Sequence, residues 1–229
     1  MEKRIVAITG SGSGLGACLA QKYSDNGDCV VLLDVVKENL KRTADSLKNE
    51  KHIYVLDISS KQEVSDTFSK IYKEVGNIDV LINCAGIGYF DIAENIEEKY
   101  VHALIDINLK GTIFCTQEVI VPMKEQGQGQ IINVISMSGK RAVPNESVYC
   151  ASKYGVTGFM QALAIELAGT GVSTTGFYME NMATGLWKGE RPKEFDKFIK
   201  PEDMADIIFE NMKARPNIAM EEVLIKNIR

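Results

Sequence analysis

Short apolar runs separated by amphipathic stretches set the rhythm of this chain. Ile5–Ile8, Cys29–Leu33, Ile53–Leu56, Val80–Ile82, Ile131–Ile135 and Val223–Ile225 are dominated by apolar residues. Each reads as a short buried strand. Between them the apolar period changes. Val64, Phe68, Ile71, Tyr72 and Val75 recur at three- and four-residue spacing, one stripe on a helix, and Val156, Phe159, Leu163 and Leu167 repeat it. Ile207, Ile208 and Met212 mark a last helix, with Pro201 near its first turn. Fully apolar strands alternating with helices predict an α/β fold: a doubly wound parallel sheet in three layers, helices on both faces. No linker, repeat or low-complexity segment divides residues 1–229, so a single domain is expected. Only Met179 to Lys200 breaks the rhythm, and a long irregular stretch in a compact domain reads as a lid, here packed by Trp187, Phe195 and Phe198.

Composition narrows the function classes. The 229 residues carry 26 Lys and Arg against 31 Asp and Glu, a net charge of −5. That acidic balance argues against nucleic acid as a partner. No apolar run reaches membrane-spanning length, so no membrane association is expected. The amino terminus lacks the apolar core of a signal peptide, which points to the cytoplasm. Cys18, Cys29, Cys84, Cys115 and Cys150 form no C-x-x-C pair and read as reduced, packed thiols, and the two histidines, His52 and His102, cannot build a multi-histidine metal site, so no metal is expected.

The chemistry is concentrated after the first strand, in Thr9-Gly-Ser-Gly-Ser-Gly-Leu-Gly16. Glycines in a strand-to-helix turn let backbone approach a phosphate, and the helix amino terminus offers free N–H groups and a positive dipole end. Asp34 closes the second strand, where a carboxylate accepts hydrogen bonds from ribose hydroxyls and repels a 2′-phosphate. The charge logic favours NAD and leaves NADP as a possibility.

The glycines also fit T-G-x-x-x-G-x-G through Gly10, Gly14 and Gly16, and here the chain resembles the short-chain dehydrogenase/reductase family, in its compact single-domain branch. Further motifs follow in family order: Asp57-Ile58 after the third strand, Asn83-Cys-Ala85-Gly86 like N-N-A-G with Cys in the second place, Asn108-Leu-Lys-Gly111 matching N-x-x-G, then Ser136, Tyr149 and Lys153. The resemblance implies a Rossmann-like sheet of order 3-2-1-4-5-6-7. It implies cofactor contacts from Gly10, Ser11, Gly14, Leu15, Gly16, Asp34, Asp57, Ile58, Asn83, Ala85, Gly86, Tyr149, Lys153 and Thr184. It implies a catalytic set of Ser136, Tyr149 and Lys153, with Asn108 holding a water near the lysine. Tyr149 and Lys153 are four apart and share a helix face; a neighbouring ammonium is expected to lower the phenol pKa. Ser138 is a near alternative to Ser136, and Cys150, about 100° around the helix from Tyr149, reads as packing.

The match weakens after the sixth strand. Met179-Glu180 stands where the family has Pro-Gly, with Thr184 in the place of its carboxamide-binding threonine. Glu180 is expected either beside the nicotinamide, favouring NAD⁺ over NADH, or turned out to solvent. The resulting expectation is an NAD(P)(H)-dependent oxidoreductase for a small secondary alcohol or its ketone, with specificity in residues 88–96, 138–147 and the lid. The alternatives are an NADPH-dependent 3-oxoacyl reductase and a non-catalytic dinucleotide-binding sensor. A sugar epimerase is disfavoured because no second substrate domain is present. The helices around 97–125 and 147–168 carry apolar residues on several sides, Val101, Leu104, Tyr154 and Met160 among them, which predicts a homodimer or homotetramer.

Overall fold

The computed structural model describes residues 3–186, 192, 194–213 and 218–228; Trp187 lies outside them. Its seven parallel strands are β1 (Ile5–Thr9), β2 (Cys29–Asp34), β3 (Lys51–Val55), β4 (Val80–Asn83), β5 (Gly129–Val134), β6 (Val172–Met179) and β7 (Glu222–Ile225). They lie in the order β3-β2-β1-β4-β5-β6-β7, as the motif order implies. Every apolar run picked from the sequence falls on a strand. The largest shifts are at β3 and β5, each of which starts two residues before its apolar run, on Lys51-His52 and on Gly129-Gln130.

Alternate residues of the central strands feed two main cores. Val6, Ile8, Val30 and Leu32 pack with Leu19, Tyr23, Leu40, Met204 and Ile208 from α1 (Gly14–Asp25), α2 (Lys37–Ser46) and α7 (Pro201–Asn211). Ala7, Val31, Leu33 and Leu81 pack with Val64, Phe68, Ile71, Val119 and Leu163 from α3 (Lys61–Glu74), α5 (Thr112–Gln126) and α6 (Ser147–Glu166). A short α4 (Glu98–Ala103) runs through a π-helical segment, Leu104–Gly111, into α5. Leu104 and Met160 are buried inside the subunit, which corrects their placement on an association face. Both helices are apolar on several sides because the sheet and neighbouring helices cover more than one side. Among the described residues no helix is long and apolar enough to cross a membrane.

The chain leaves β1 toward β2 on one side and returns through β4 on the other, so the strand order reverses between β1 and β4. Ligand crevices in open α/β sheets form outside the carboxyl ends of the strands at this reversal. Here the two sides are clamped together. Thr9 Oγ1 accepts hydrogen bonds from the N–H groups of Cys84 and Ala85, both at 3.1 Å. Gly10 has φ +68°, and a Cβ there would lie 2.7 Å from Ala85 Cα. A Cβ on Gly16 would lie 2.2 Å from the Gly10 carbonyl oxygen.

Gly16→Ala is therefore expected to destabilise the fold by about 2 kcal/mol or more in urea unfolding, since backbone rather than a flexible side chain must move. Gly158→Ala, on α6 with open space around the added methyl, is expected to stabilise by about 0.5–1 kcal/mol.

Candidate active site

A cavity of about 380 Å³ opens at the reversal point, within the usual size range of small-molecule sites. One end is built from the β1–α1 turn. Gly10, Ser13, Gly14, Leu15 and Gly16 line it. Ser13 precedes α1 without a side-chain cap, so the first-turn amides have neither an intrahelical nor a capping partner. Asp34 lines the same end and ties the loop to β2: its carboxylate accepts from Gly12 N–H at 3.0 Å and from Val36 N–H at 2.9 Å. Asp57, Ile58, Ala85, Gly86 and Thr184 complete this wall. Backbone donors, a cradle only glycine fits and a carboxylate at the far end suit a dinucleotide.

Two of the sequence-derived cofactor residues lie behind the wall. Ser11 is fully buried, and its hydroxyl donates to the Leu33 carbonyl at 3.2 Å; Ser13 lines the cavity instead. Asn83 is buried in a polar row, its amide donating to Thr116 Oγ1 and Asn133 Oδ1 at 3.0 Å each. Both act on the loop and strand ends rather than on the cavity.

The other end carries Ser136, Ser138, Glu146, Tyr149 and Lys153, closed by Ile87, Gly88 and Phe90. Phe90 sits edge-on to the Tyr149 ring with centroids 5.4 Å apart. Asn108, in the π-helical segment, supports this end from behind. Its Oδ1 accepts from Ile87 N–H at 2.8 Å, and its amide donates to the Ile87 carbonyl at 3.0 Å and to Ser152 Oγ at 3.1 Å. Its own carbonyl accepts the Thr112 hydroxyl at 2.9 Å. Glu146 was not singled out from the sequence. Its distance of eight residues from Ser138 hides a direct contact made only when the 139–146 loop folds back.

At the end of β6, Glu180 lines the cavity and is paired rather than free in solvent. Glu180 accepts from Arg141 at 2.9 Å and from the Asn227 N–H at 3.0 Å, with 12% of its side chain exposed. The arginine comes from the 138–147 loop, so a charge expected to act on a ligand is neutralised within the protein.

Residues 4–194 match the family model of short chain dehydrogenases. The chain belongs to that family. It is 32% identical over 91% of its length to 89% of a 3-oxoacyl-acyl-carrier-protein reductase, FabG, of Thermotoga maritima. A 3-ketoacyl-acyl-carrier-protein reductase from Brucella melitensis, solved with NADH, superposes with a TM-score of 0.91 at 27% identity, covering 98% of this chain and 97% of that one. An alcohol dehydrogenase from the archaeon Thermococcus sibiricus, solved with 5-hydroxy-NADP, shares the fold at a TM-score of 0.91 and 24% identity, over 99% and 97% of the two chains.

In this short-chain dehydrogenase burial dominates the titration of the tyrosine–lysine pair. Burial pushes the Tyr149 phenol up, and a hydrogen bond with Ser136 pulls it only partly back. Burial holds the Lys153 ammonium down, to about 8. The expected lowering of the phenol by the lysine is thus outweighed: Lys153 Nζ lies 5.6 Å from the Tyr149 ring centre, and both groups lack solvent. Glu146 is also raised by burial, with Ser138 and Arg141 opposing.

The sign of the lysine shift fixes a stability prediction. The unfolded chain keeps this proton up to about pH 10.5, whereas the folded chain releases it near 8. Unfolding therefore takes up a proton between these values, and stability rises with pH across that window. Below pH 8 the full cost applies, on the order of 3 kcal/mol. Lys153→Met is expected to be more stable than the native protein at pH 7 by urea unfolding. The difference should shrink as pH approaches 10.5.

Proposed function

We propose that this protein is a nicotinamide-dinucleotide-dependent oxidoreductase that interconverts a small secondary alcohol and its ketone, with NAD(H) preferred. The observation that carries this reading is that Ser136, Tyr149 and Lys153 line the same cavity as the glycine turn and Asp34. Gly10, Ser13, Gly14, Leu15 and Gly16 would hold the phosphates, Asp34 the adenosine ribose, and Asp57 with Ile58 the adenine side. When bound, the cofactor supplies hydride in reduction and takes it in oxidation. Tyr149 gives its hydroxyl proton to the carbonyl oxygen in reduction and takes it back in oxidation. Ser136 hydrogen-bonds the same oxygen, where charge grows. Lys153 supplies positive charge behind Tyr149.

The relatives named as 3-oxoacyl reductases favour a second reading, reduction of a carrier-linked 3-oxo group. Such a group is itself a ketone, so the chemistry is shared and the readings differ in substrate handle and cofactor. Asp34 counts against NADPH. A screen of simple ketones and an acetoacetyl thioester, each with NADH and with NADPH, separates the two.

Three outcomes are expected. NADH should bind at least about tenfold more tightly than NADPH in a fluorescence titration, a difference of ~1.4 kcal/mol; Asp34→Ala should narrow the gap, and equal affinities in the native protein would contradict the assignment. Tyr149→Phe should lower kcat by about 10²–10⁴-fold while NADH still binds; turnover near the native rate would show that the phenol is not the acid. We further propose that the protein assembles as a homodimer or homotetramer through α5 and α6, where Val121, Tyr154 and Ile165 are exposed. A monomer by light scattering at micromolar concentration would reject this.

A further inference from the structure

A chain of hydroxyls leads away from Tyr149 and ends in a carboxyl that the mechanism above does not use. Ser136 and Tyr149 line the same cavity, and the serine hydroxyl favours the ionised form of the phenol. The Ser136 hydroxyl donates to Ser138 Oγ at 3.2 Å, and the Ser138 N–H donates back to Ser136 Oγ at 3.1 Å. The Ser138 hydroxyl donates to Glu146 Oε2 at 2.5 Å. Glu146 lines the cavity and is only half-buried, so one end of the chain is the buried phenol and the other is partly exposed to solvent.

The loop is shaped to make this contact. Asn145 has φ +64°, the one non-glycine residue with positive φ among the described residues. Asparagine tolerates that left-handed geometry better than most residues. The turn sets Glu146 at the start of α6, where its side chain makes no helix cap and reaches Ser138 instead. The Asn145 carbonyl also accepts from Asp91 N–H at 2.9 Å, which fixes the turn against the 88–96 loop. Asn108, on the opposite side of the site, has its carbonyl and both amide ends engaged by Thr112, Ile87 and Ser152.

We propose that Glu146 is a positioning and proton-relay residue that exchanges one proton with Tyr149 through Ser138 and Ser136. The inference rests on the oxidoreductase reading above. In reduction Tyr149 loses its O–H proton to the substrate oxygen. Ser136 then gives its proton to the Tyr149 oxygen, Ser138 gives its own to Ser136, and the Glu146 carboxylic acid gives its own to Ser138. Each oxygen loses one proton and gains one, and Glu146 is reprotonated from water. Oxidation runs the same chain backwards into a Glu146 carboxylate, along the donor directions the structure shows, Ser136 to Ser138 to Glu146; in reduction both serine hydroxyls turn the other way, and no electrons pass along the chain. Among the described residues, the charged and titratable groups that act on Glu146 are Arg141 on its own loop, whose guanidinium also meets Glu180, and Tyr149 along α6; Lys153 and Glu180 line the same cavity.

The test has an arm without turnover. In the infrared difference spectrum of native protein minus Glu146→Gln, the carboxylic acid band should titrate above the ordinary glutamate range and should move in Ser138→Ala. The kinetic arm follows reduction by NADH of whichever ketone the screen finds. Glu146→Gln and Ser138→Ala should each lower kcat by about tenfold with KM changed less than twofold. The double variant should be no slower than the slower single one, because both break one chain. Formate should restore Glu146→Gln, and Ser138→Thr, which keeps the hydroxyl, should retain the native rate. Native kcat in Glu146→Gln, or additive losses in the double variant, would overturn the relay. If Tyr149→Phe is inactive in that experiment, the oxidoreductase reading survives and the relay alone falls.

Discussion

The backbone of the β1–α1 turn lies against the end of β4 more closely than any side chain at Gly10 would permit, and the rest of the site hangs on that contact. A methyl at Gly10 would meet Ala85 Cα at 2.7 Å. The Thr9 hydroxyl locks the same junction by taking two amide hydrogens from β4's exit. Because the chain continues from these two parallel strands toward opposite edges of the sheet, closing the gap between their ends joins two half-sites that are far apart in sequence. The helix amino terminus with its free amides comes from one half. Gly86 and, through β5 and α6, the serine, tyrosine and lysine come from the other. Asp34 extends the clamp to β2 by holding Gly12 N–H, so the carboxylate that would discriminate between cofactors also sets the shape of the loop they would occupy.

Such a site is expensive to build. Lys153 is nearly excluded from solvent and has no carboxylate partner among the described residues, and its depressed pKa records that cost. The Asn83 amide oxygen is buried with no hydrogen-bond partner in the row that joins it to Asn133 and Thr174. A π-helical segment interrupts the helix that presents Asn108, and such segments are frequent at functional sites. Two full hydrophobic cores, one on each sheet face, offset these penalties. The arrangement separates tasks: the strands and outer helices stabilise, and the carboxyl ends of the strands carry the unfavourable polar burial.

Which parts were legible follows from which signals are local. Apolar runs mark strands buried on both faces, so β1, β2 and β4 read directly. β3 and β5 each begin two residues before their runs, because they open on Lys51-His52 and Gly129-Gln130, which apolarity does not mark. The glycine turn and the Tyr149–Lys153 spacing are also local. Leu104 and Met160 were misplaced because helical periodicity shows that a side is apolar but not what covers it. Ser11 and Ser13 are indistinguishable in the sequence, and only the turn's dihedral angles decide which one faces the cavity. Glu146 left no local trace at all: its contact with Ser138 depends on a left-handed turn at Asn145. The phenol's shift was read with the wrong sign because spacing reports that a lysine is near, whereas the extent of burial is a property of the assembled fold.

The same distinction governs the place where this chain departs from its family's pattern. By resemblance Glu180 stands in the place of a glycine, and from sequence alone its carboxylate could lie beside the cofactor or in solvent. In the fold, a carboxylate this poorly exposed must be paired or neutral. Arg141 and the Asn227 amide pair it. The consequence is mechanical rather than electrostatic. Arg141 belongs to the 138–147 loop, Asn227 follows β7, and the Asn227 side chain donates to the Lys197 carbonyl at 2.6 Å. One carboxylate thereby connects the substrate loop, the end of the sheet and the 194–200 segment. The carboxylate acts as a pin, and the geometry of this end of the cavity depends on an ion pair whose arginine is half exposed to solvent.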